Sequence, residues 1–304
     1  MRVFDLAPSL SGYALVLHGG AGGRLDELTL EQQGLYSVGL ADAYRAGQVV
    51  LASDGSALDA VCACVTELEN NPLFNAGRGA ALTAVGSAEL DASVMTGDGR
   101  AGAVAVSRYA KNPVLLARKV MEQTEHVLLV SPGRAFVSGL GLQTVDSDYF
   151  VTEVRERQLA NVRSKQLAGS RHGTVGAVAV DTRGHVASAT STGGMVNQHE
   201  GRVGDTPVIG SGIYARDGIV AVSCTGDGEA FIEGVVAHEI YARIRFGGSQ
   251  LSDAVAETIV DELDGRLSTG GVIAVAADGR IVVAHNSAAM FAAYVEAGDL
   301  VTLT

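Results

Sequence analysis

The sequence has no basic stripe, no long apolar run and no cysteine framework, and each absence narrows what the protein can be. Its 22 Lys and Arg stand against 34 Asp and Glu, a formal net charge of −12. Binding nucleic-acid phosphates requires clustered cations to release counterions, so no nucleic-acid partner is expected. No stretch reaches the roughly 18 consecutive apolar residues of a membrane span. Residues 1–12 carry one Arg and no apolar core of a signal peptide. No membrane partner is expected, and the expected compartment is the cytoplasm. Cys62, Cys64 and Cys224 are odd in number, and the first two fall in an apolar helical pattern, which predicts reduced, buried thiols. Tryptophan is missing and prolines number five, whereas 39 glycines are scattered along the chain. Glycine used in this way implies tight turns and close backbone approach, not a low-complexity linker. With 47% hydrophobic residues in 304, a substantial core can form.

Residues 13–17 are an apolar run ending at His18 and followed by Gly19, Gly20, Ala21, Gly22 and Gly23, which predicts a buried strand entering a glycine-rich loop. Residues 30–48 and 56–69 have helical spacing, the second carrying Leu58, Val61, Cys62, Val65 and Leu68 on one face. Residues 75–100 are rich in glycine and small side chains, and 103–107 read as a strand. Farther on, 175–180, the turn Asp181-Thr182-Arg183-Gly184 and 185–189 predict a hairpin. Residues 273–276, Ala277-Asp278-Gly279-Arg280 and 281–284 repeat it. Small and β-branched residues alternate in these strands as in sheets covered on both faces, and helices are expected at 228–245 and 251–264. Together these elements predict an α+β fold with helices outside two stacked sheets, a four-layer αββα sandwich. Residues 144–171 are polar and read as a solvated linker. The composition changes abruptly at Gly173-Thr174, which makes that bond the place to look for processing.

A threonine hydroxyl is a poor nucleophile unless a base takes its proton. A compact solution is the residue's own α-amino group, freed when the threonine becomes N-terminal. Such an amine titrates near 7.7 to 8.0, so a small downward shift makes it a base at neutral pH. Gly173 before Thr174 suits that chemistry, because a residue without Cβ leaves its carbonyl open to attack. Read locally, Gly173-Thr174-Val175 is more simply a turn entering a strand.

The wider motif set is more specific. His172-Gly173-Thr174-Val175-Gly176-Ala177-Val178-Ala179 resembles the processing site of the plant-type asparaginase and isoaspartyl peptidase family of N-terminal-nucleophile hydrolases. Ser191-Thr192-Gly193-Gly194-Met195, Gly201-Arg202-Val203-Gly204-Asp205 and Ser223-Cys224-Thr225-Gly226-Asp227-Gly228-Glu229 resemble its later motifs. Upstream, His18-Gly19-Gly20-Ala21-Gly22, Pro72-Leu73-Phe74-Asn75-Ala76-Gly77-Arg78-Gly79 and Leu90-Asp91-Ala92-Ser93-Val94-Met95 are similar as well.

The resemblance implies a precursor cut into residues 1–173 and 174–304, with Thr174 as nucleophile and Thr192 as the neighbouring hydroxyl that assists. It implies an oxyanion hole from Thr225 and Gly226, and an α-chain residue, Asn75, that orients the nucleophile's amine. Arg202 and Asp205 are implied to hold the substrate's α-carboxylate and α-ammonium, with Gly228 beside them; outside this motif they read as a surface ion pair. Gly19 and Gly20 resemble a tight turn packed behind the site. Leu68, Glu69, Asn71, Phe74, Ala76 and Arg78 correspond to a loop that holds a structural sodium ion largely through backbone carbonyls. No catalytic cofactor is implied: His238-Glu239 lacks the second His of a zinc protease, and Cys62 and Cys64 lack further ligands at metal spacing. The glycine run lacks the residues of a phosphate loop. The implied substrates are L-asparagine and β-aspartyl dipeptides, and the implied assembly is a dimer of cleaved pairs.

Three positions depart from the family pattern: Gln198 where Lys is frequent, Thr96 where an acid is usual, and Asp227 where a neutral residue or His follows Thr-Gly. The rival hydrolases are a glycosylasparaginase, which is secretory and disulfide-bonded, and a taspase-like endopeptidase. Asp205 in the ammonium position counts against the second. An uncleaved, non-catalytic relative is the alternative outside the enzymes, and it would lack the nucleophile or the oxyanion donors.

Overall fold

A computed structural model of the chain describes residues 1–8, 11–22, 28–164 and 173–304. The larger of its two sheets has eight strands. Their order is β13 (Asp299–Leu303), β12 (Met290–Glu296), β2 (Ala14–Ala21), β6 (Val175–Val180), β7 (Val186–Thr192), β3 (Leu90–Thr96), β4 (Ala101–Ser107) and β5 (Leu128–Val130). All neighbours are antiparallel except β4 and β5. The smaller sheet is antiparallel, in the order β1 (Arg2–Leu6), β11 (Ile281–His285), β10 (Gly270–Ala276), β9 (Val220–Gly226) and β8 (Ile213–Arg216).

Helices α1 (Leu30–Ala52), α2 (Ala57–Asn70) and α3 (Pro113–Gln123) lie on the larger sheet, and α6 (Gly228–Gly234), α7 (Val236–Arg245) and α8 (Leu251–Thr258) on the smaller. Two further helices, α4 (Arg134–Gly139) and α5 (Glu153–Arg163), flank the larger sheet's α3 end. The four layers αββα are those expected. Strand alternation builds them: on β2, Leu15 and Leu17 pack into a core with Leu40 and Tyr44 of α1 and Val61 and Val65 of α2. Val16, on the opposite face, packs with Val178 and with Ile273 and Val283 of the other sheet. A third core joins Val222, Val272 and Val282 to Phe231, Ile240 and Val255. Local signals start the helices: Thr29 and Gln32 form a reciprocal capping box at α1, and the Ser56 hydroxyl accepts the Asp59 N–H at α2.

Four expectations need correction. Gly19 and Gly20 belong to β2 itself and are not a turn after it. Residues 90–96, expected as part of a small-residue segment, form a strand. The helix expected at 228–245 is broken at Val235, which takes a left-handed conformation (φ 46°) between α6 and α7. The expected linker contains α5, which is amphipathic: its Leu159 is buried, and buried Arg155 donates from Nε to the Gly79 carbonyl. Gly23, residues 165–171 of the expected linker and His172 of the processing motif lie outside the described residues.

Candidate active site

The chain runs unbroken from Gly173 into β6, so Thr174 stands at the N-terminal end of a central strand and is buried. In the β6–β7 register Val175 faces Ser191, and one step further places Thr174 beside Thr192. On the facing sheet, β9 ends at Thr225 and Gly226. Thr174, Thr192 and Gly226 line one narrow cleft with Gly173, Gly194, Arg202, Asp205 and Asp227, and Thr225 stands behind Gly173. Its free volume is about 20 Å³, room for roughly one water molecule.

Gly173 fills a slot that admits no side chain. A Cβ on it would lie 2.5 Å from the Gly20 Cα and 2.6 Å from the Thr225 Oγ1. The Thr225 Oγ1 accepts the Ala21 N–H at 3.3 Å, which leaves its own proton free to point elsewhere. Gly226 has φ +143°, and a Cβ there would run into Gly270. Only glycine keeps its N–H in that orientation.

A polar chain lies between the sheets next to Thr174. His18 Nε2 is 2.8 Å from the Ser223 Oγ, which is 2.8 Å from the Thr190 Oγ1. Burial pushes His18 down to about 3, against an opposing pull from the Thr174 backbone, so the imidazole is uncharged at neutral pH. Gly176 makes room for this chain, since a Cβ there would collide with the Ser223 hydroxyl and the His18 ring.

Asn75 ties the first half of the chain to the cleft wall. Its Nδ2 donates to the Gly194 carbonyl at 2.8 Å, its Oδ1 accepts the Ala81 N–H at 2.7 Å, and its own carbonyl accepts the Gly193 N–H at 2.9 Å. The Thr192 Oγ1 accepts the Gly194 N–H at 3.1 Å. Gln198 buttresses the same loop through its Oε1, which accepts the Met195 N–H at 2.8 Å. Thr96, by contrast, sits at the far end of β3, where its hydroxyl donates to Asp98 in the β3–β4 turn.

The charged end of the cleft is built by loop 201–206. Asp205 is buried, its Oδ2 has no hydrogen-bond partner, and burial pushes it up to about 7. Arg202 does not form the i,i+3 ion pair with it that is the alternative reading of the two residues. Its Nε and Nη2 instead fork onto the Glu229 carboxylate at 3.0 and 2.9 Å. A Cβ on Gly228 would lie 2.9 Å from both Arg202 Nη2 and Asp205 Oδ1, so glycine there lets the two charges approach the backbone.

Residues of β3 and its approach hold this loop, a role sequence reasoning missed. Glu89 accepts the Gly201 N–H at 2.8 Å, Asp91 accepts the N–H groups of Val106 at 2.9 Å and Gly204 at 3.4 Å, and the Ser93 hydroxyl donates to the Thr206 carbonyl at 2.6 Å. Desolvation raises Asp91 to about 6. The available signal was a pair of acids within an otherwise apolar run, which a strand buries only when backbone donors await them.

Leu68, Glu69, Phe74 and Ala76 are buried where α2 ends and its loop begins. The Glu69 carbonyl accepts the Arg78 N–H at 2.8 Å. The Glu69 carboxyl accepts the Ser191 hydroxyl at 2.7 Å and the Val114 N–H at 2.9 Å, and burial pushes it up to about 7. Asn71 turns the chain by accepting the Leu73 N–H at 3.1 Å. Among the described residues no group of three His, Cys, Asp or Glu is placed to hold a metal ion. Cys62, Cys64 and Cys224 are buried and unbonded, and burial pushes the first two thiols up to about 12. No helix among the described residues is long and apolar enough to cross a membrane.

A family model described as asparaginase matches residues 11–303. The chain is 42% identical over 302 residues to an isoaspartyl peptidase of Salmonella typhimurium, covering 95% of this chain and 96% of that protein. It is 41% identical over 302 residues to an isoaspartyl peptidase of Escherichia coli, covering 95% and 94%. To an isoaspartyl peptidase/L-asparaginase of Danio rerio it is 40% identical over 299 residues, covering 94% and 93%. Matched over nearly its whole length by the model and by these relatives alike, the chain belongs to the asparaginase family.

Proposed function

We propose that this chain is an amidohydrolase made as a precursor, which cuts itself between Gly173 and Thr174 and then hydrolyses the side-chain amide of L-asparagine and the isopeptide bond of β-aspartyl dipeptides. The observation that carries this reading is one cleft in which Thr174, Thr192 and Gly226 meet Arg202 and Asp205, whose Oδ2 has no hydrogen-bond partner, with the Thr225 hydroxyl packed against Gly173 at its wall. The relatives' names support the two activities.

In self-cleavage the Thr174 hydroxyl adds to the Gly173 carbonyl carbon. The C–N bond breaks as the hydroxyl proton passes to the departing amine, and water hydrolyses the resulting ester. The products are 1–173 and 174–304, and the Gly173 peptide that now crowds the cleft becomes a carboxylate able to leave it. In catalysis the free α-amine of Thr174 takes the hydroxyl proton, and the oxygen attacks the substrate's β-carbonyl. Thr225 and Gly226 donate to the oxyanion, and the departing amine takes the proton. Water then frees aspartate from the acyl-enzyme by the same route. Thr192 supports the nucleophile's hydroxyl, and Asn75 with Gly194 shapes the wall facing its amine. Arg202, a planar fork, suits the α-carboxylate, and Asp205, buried with its Oδ2 lacking a hydrogen-bond partner, suits the α-ammonium.

Three finer readings accompany this one. The carbonyls of the loop formed by Leu68, Glu69, Asn71, Phe74, Ala76 and Arg78 suit a structural sodium ion. The cleaved pair assembles as a dimer, for which exposed Leu128 and Val130 on edge strand β5 and Phe136 on α4 offer apolar surface. Three buried, unbonded cysteines fit the reducing cytoplasm.

The test is hydrolysis by the processed protein. Release of ammonia from L-asparagine and of free leucine from β-aspartyl-leucine is expected, with Thr225→Ala lowering kcat by about 10²–10³. Failure on both substrates by fully processed protein would refute the reading.

A further inference from the structure

The groups that must act together stand on different sheets. Thr174, leading into β6, and Thr192 of β7 belong to the larger, whereas Thr225 and Gly226 of β9 belong to the smaller. Their spacing depends on how one sheet is placed along the other. Much of that interface is apolar, with Val16 and Val178 against Ile273 and Val283. Apolar packing is non-directional and fixes no exact offset. Hydrogen bonds do, because they weaken steeply as distance and angle depart from their optimum.

The buried polar chain supplies such bonds beside the cleft. The Ser223 hydroxyl of β9 lies 2.8 Å from the His18 Nε2 of β2 and 2.8 Å from the Thr190 Oγ1 of β7, so one oxygen joins three strands across both sheets. All three residues are 0% exposed, and bulk water cannot stand in for a lost partner. Strand alternation puts Thr190 on the face of Thr192 and Ser223 on the face of Thr225, each two residues away along its strand. Gly176, two residues on from Thr174, leaves the node its space, since a Cβ there would strike the Ser223 hydroxyl and the His18 ring. Farther from the cleft the Ser188 hydroxyl donates to the Val222 carbonyl at 2.8 Å. The sheets therefore stay joined when the Ser223 hydroxyl is removed, and what is lost is alignment next to the site.

Resting on the function proposed above, we infer that Ser223, with His18 and Thr190, is a positioning residue for that chemistry: its hydroxyl fixes the offset between the sheets, and so the distance from the Thr225 and Gly226 donors to the carbonyl that Thr174 attacks. None of the three lines the cleft, so they act through the residues beside them. Oxyanion donors work within a few tenths of an ångström, and a misplacement of about 1 Å costs about 10²-fold in rate. The substrate head is held separately, because Arg202 and Asp205 ride on loop 201–206, which Glu89, Asp91 and Ser93 support. Loss of the node strikes the rate and spares binding of the head.

The experiment measures kcat on L-asparagine, the inhibition constant of L-aspartate as a readout of head binding, and Tm. It compares processed wild type with Ser223→Ala, Thr190→Val and Thr190→Ser. The first two remove a hydroxyl, and Thr190→Ser keeps it while losing a methyl. Expected is a kcat about 10- to 100-fold lower in Ser223→Ala and Thr190→Val, with L-aspartate inhibition within about threefold of wild type and Thr190→Ser restoring kcat to within about threefold. A merely structural role would lower Tm and leave the kcat of folded enzyme near that of wild type in every variant. A variant that folds but stays uncut is scored on its rate of self-cleavage, which Thr190→Ser should share with wild type. Ser223→Ala, which deletes one oxygen, carries the test if Thr190→Val does not fold. A kcat within about threefold of wild type in Ser223→Ala, a Thr190→Ser as slow as Thr190→Val, or L-aspartate inhibition weakened as much as kcat would overturn the inference while leaving the function intact. Processed wild type inactive on both L-asparagine and β-aspartyl-leucine would overturn the proposed function and this inference with it.

Discussion

Gly20 and Gly173 pack backbone against backbone: a Cβ on Gly20, which has φ +119°, would lie 2.8 Å from the Gly173 Cα and 2.9 Å from its carbonyl oxygen. That contact holds the bond before Thr174 from a strand distant in sequence. Replacing Gly20 by alanine forces both an unfavourable φ and a clash. At about 1–3 kcal/mol for such strain, formation of the two fragments should slow by about 5- to 150-fold. Densitometry of the precursor band over time measures it. A Gly20→Ala protein that processes as fast as wild type would show that this packing does not govern cleavage.

Asp205 gives substrate binding a pH dependence of known sign. Burial holds its carboxyl at about 7, far above the usual 3.8, so in the free enzyme it is uncharged below that pH and holds no ammonium. As pH rises through about 7 the charged form appears. The KM for L-asparagine should therefore fall, by up to about tenfold per unit on the acid side, and level off near pH 8. Because the folded pKa is raised, this group favours the folded state at low pH and loses that contribution as pH climbs from about 4 to about 7. An ammonium ligand relieves the loss, so L-aspartate should raise Tm more at pH 8 than at pH 5.5. Asp205→Asn should flatten both profiles; a KM that rises with pH through this window would contradict the assignment.

The Asp91 side chain reaches the site through Gly204 of loop 201–206, and its substitution should separate binding from chemistry. Asp91→Ala leaves the Gly204 and Val106 N–H groups without their carboxylate, a cost of about 1–3 kcal/mol. A Tm lower by several degrees is expected, together with a raised KM and a kcat within about threefold of wild type. Steady-state kinetics on L-asparagine with a melting curve measures both. A kcat collapse at unchanged KM would place Asp91 in the chemistry instead of in the support of Arg202 and Asp205.

The layered fold was legible where local rules and burial agree. The β6–β7 hairpin and α1 and α2 announce themselves through strand alternation, capping residues and helical spacing, and their expected limits fall close to those observed. β3 was hidden because Asp91 and Ser93 break its apolar pattern, and both are polar for a tertiary reason, the loop they hold. The edge strand β13 was hidden for the opposite reason, since no residue of it is fully buried. Within the site, residue identities were readable as motifs, but pairings were not. Nothing local announces that Arg202 forks onto Glu229, 27 positions away, or that His18 meets Ser223 across 205. Such contacts exist only once the two sheets are stacked.

The central claim is that Thr174 becomes an N-terminal nucleophile, and intact-mass measurement of purified wild type and Thr174→Ala after incubation tests it most directly. The account predicts two masses from wild type, those of residues 1–173 and 174–304, and one uncut mass from Thr174→Ala. A wild-type chain that stays whole yet hydrolyses L-asparagine, or a Thr174→Ala chain that is cut at the same bond, would contradict it.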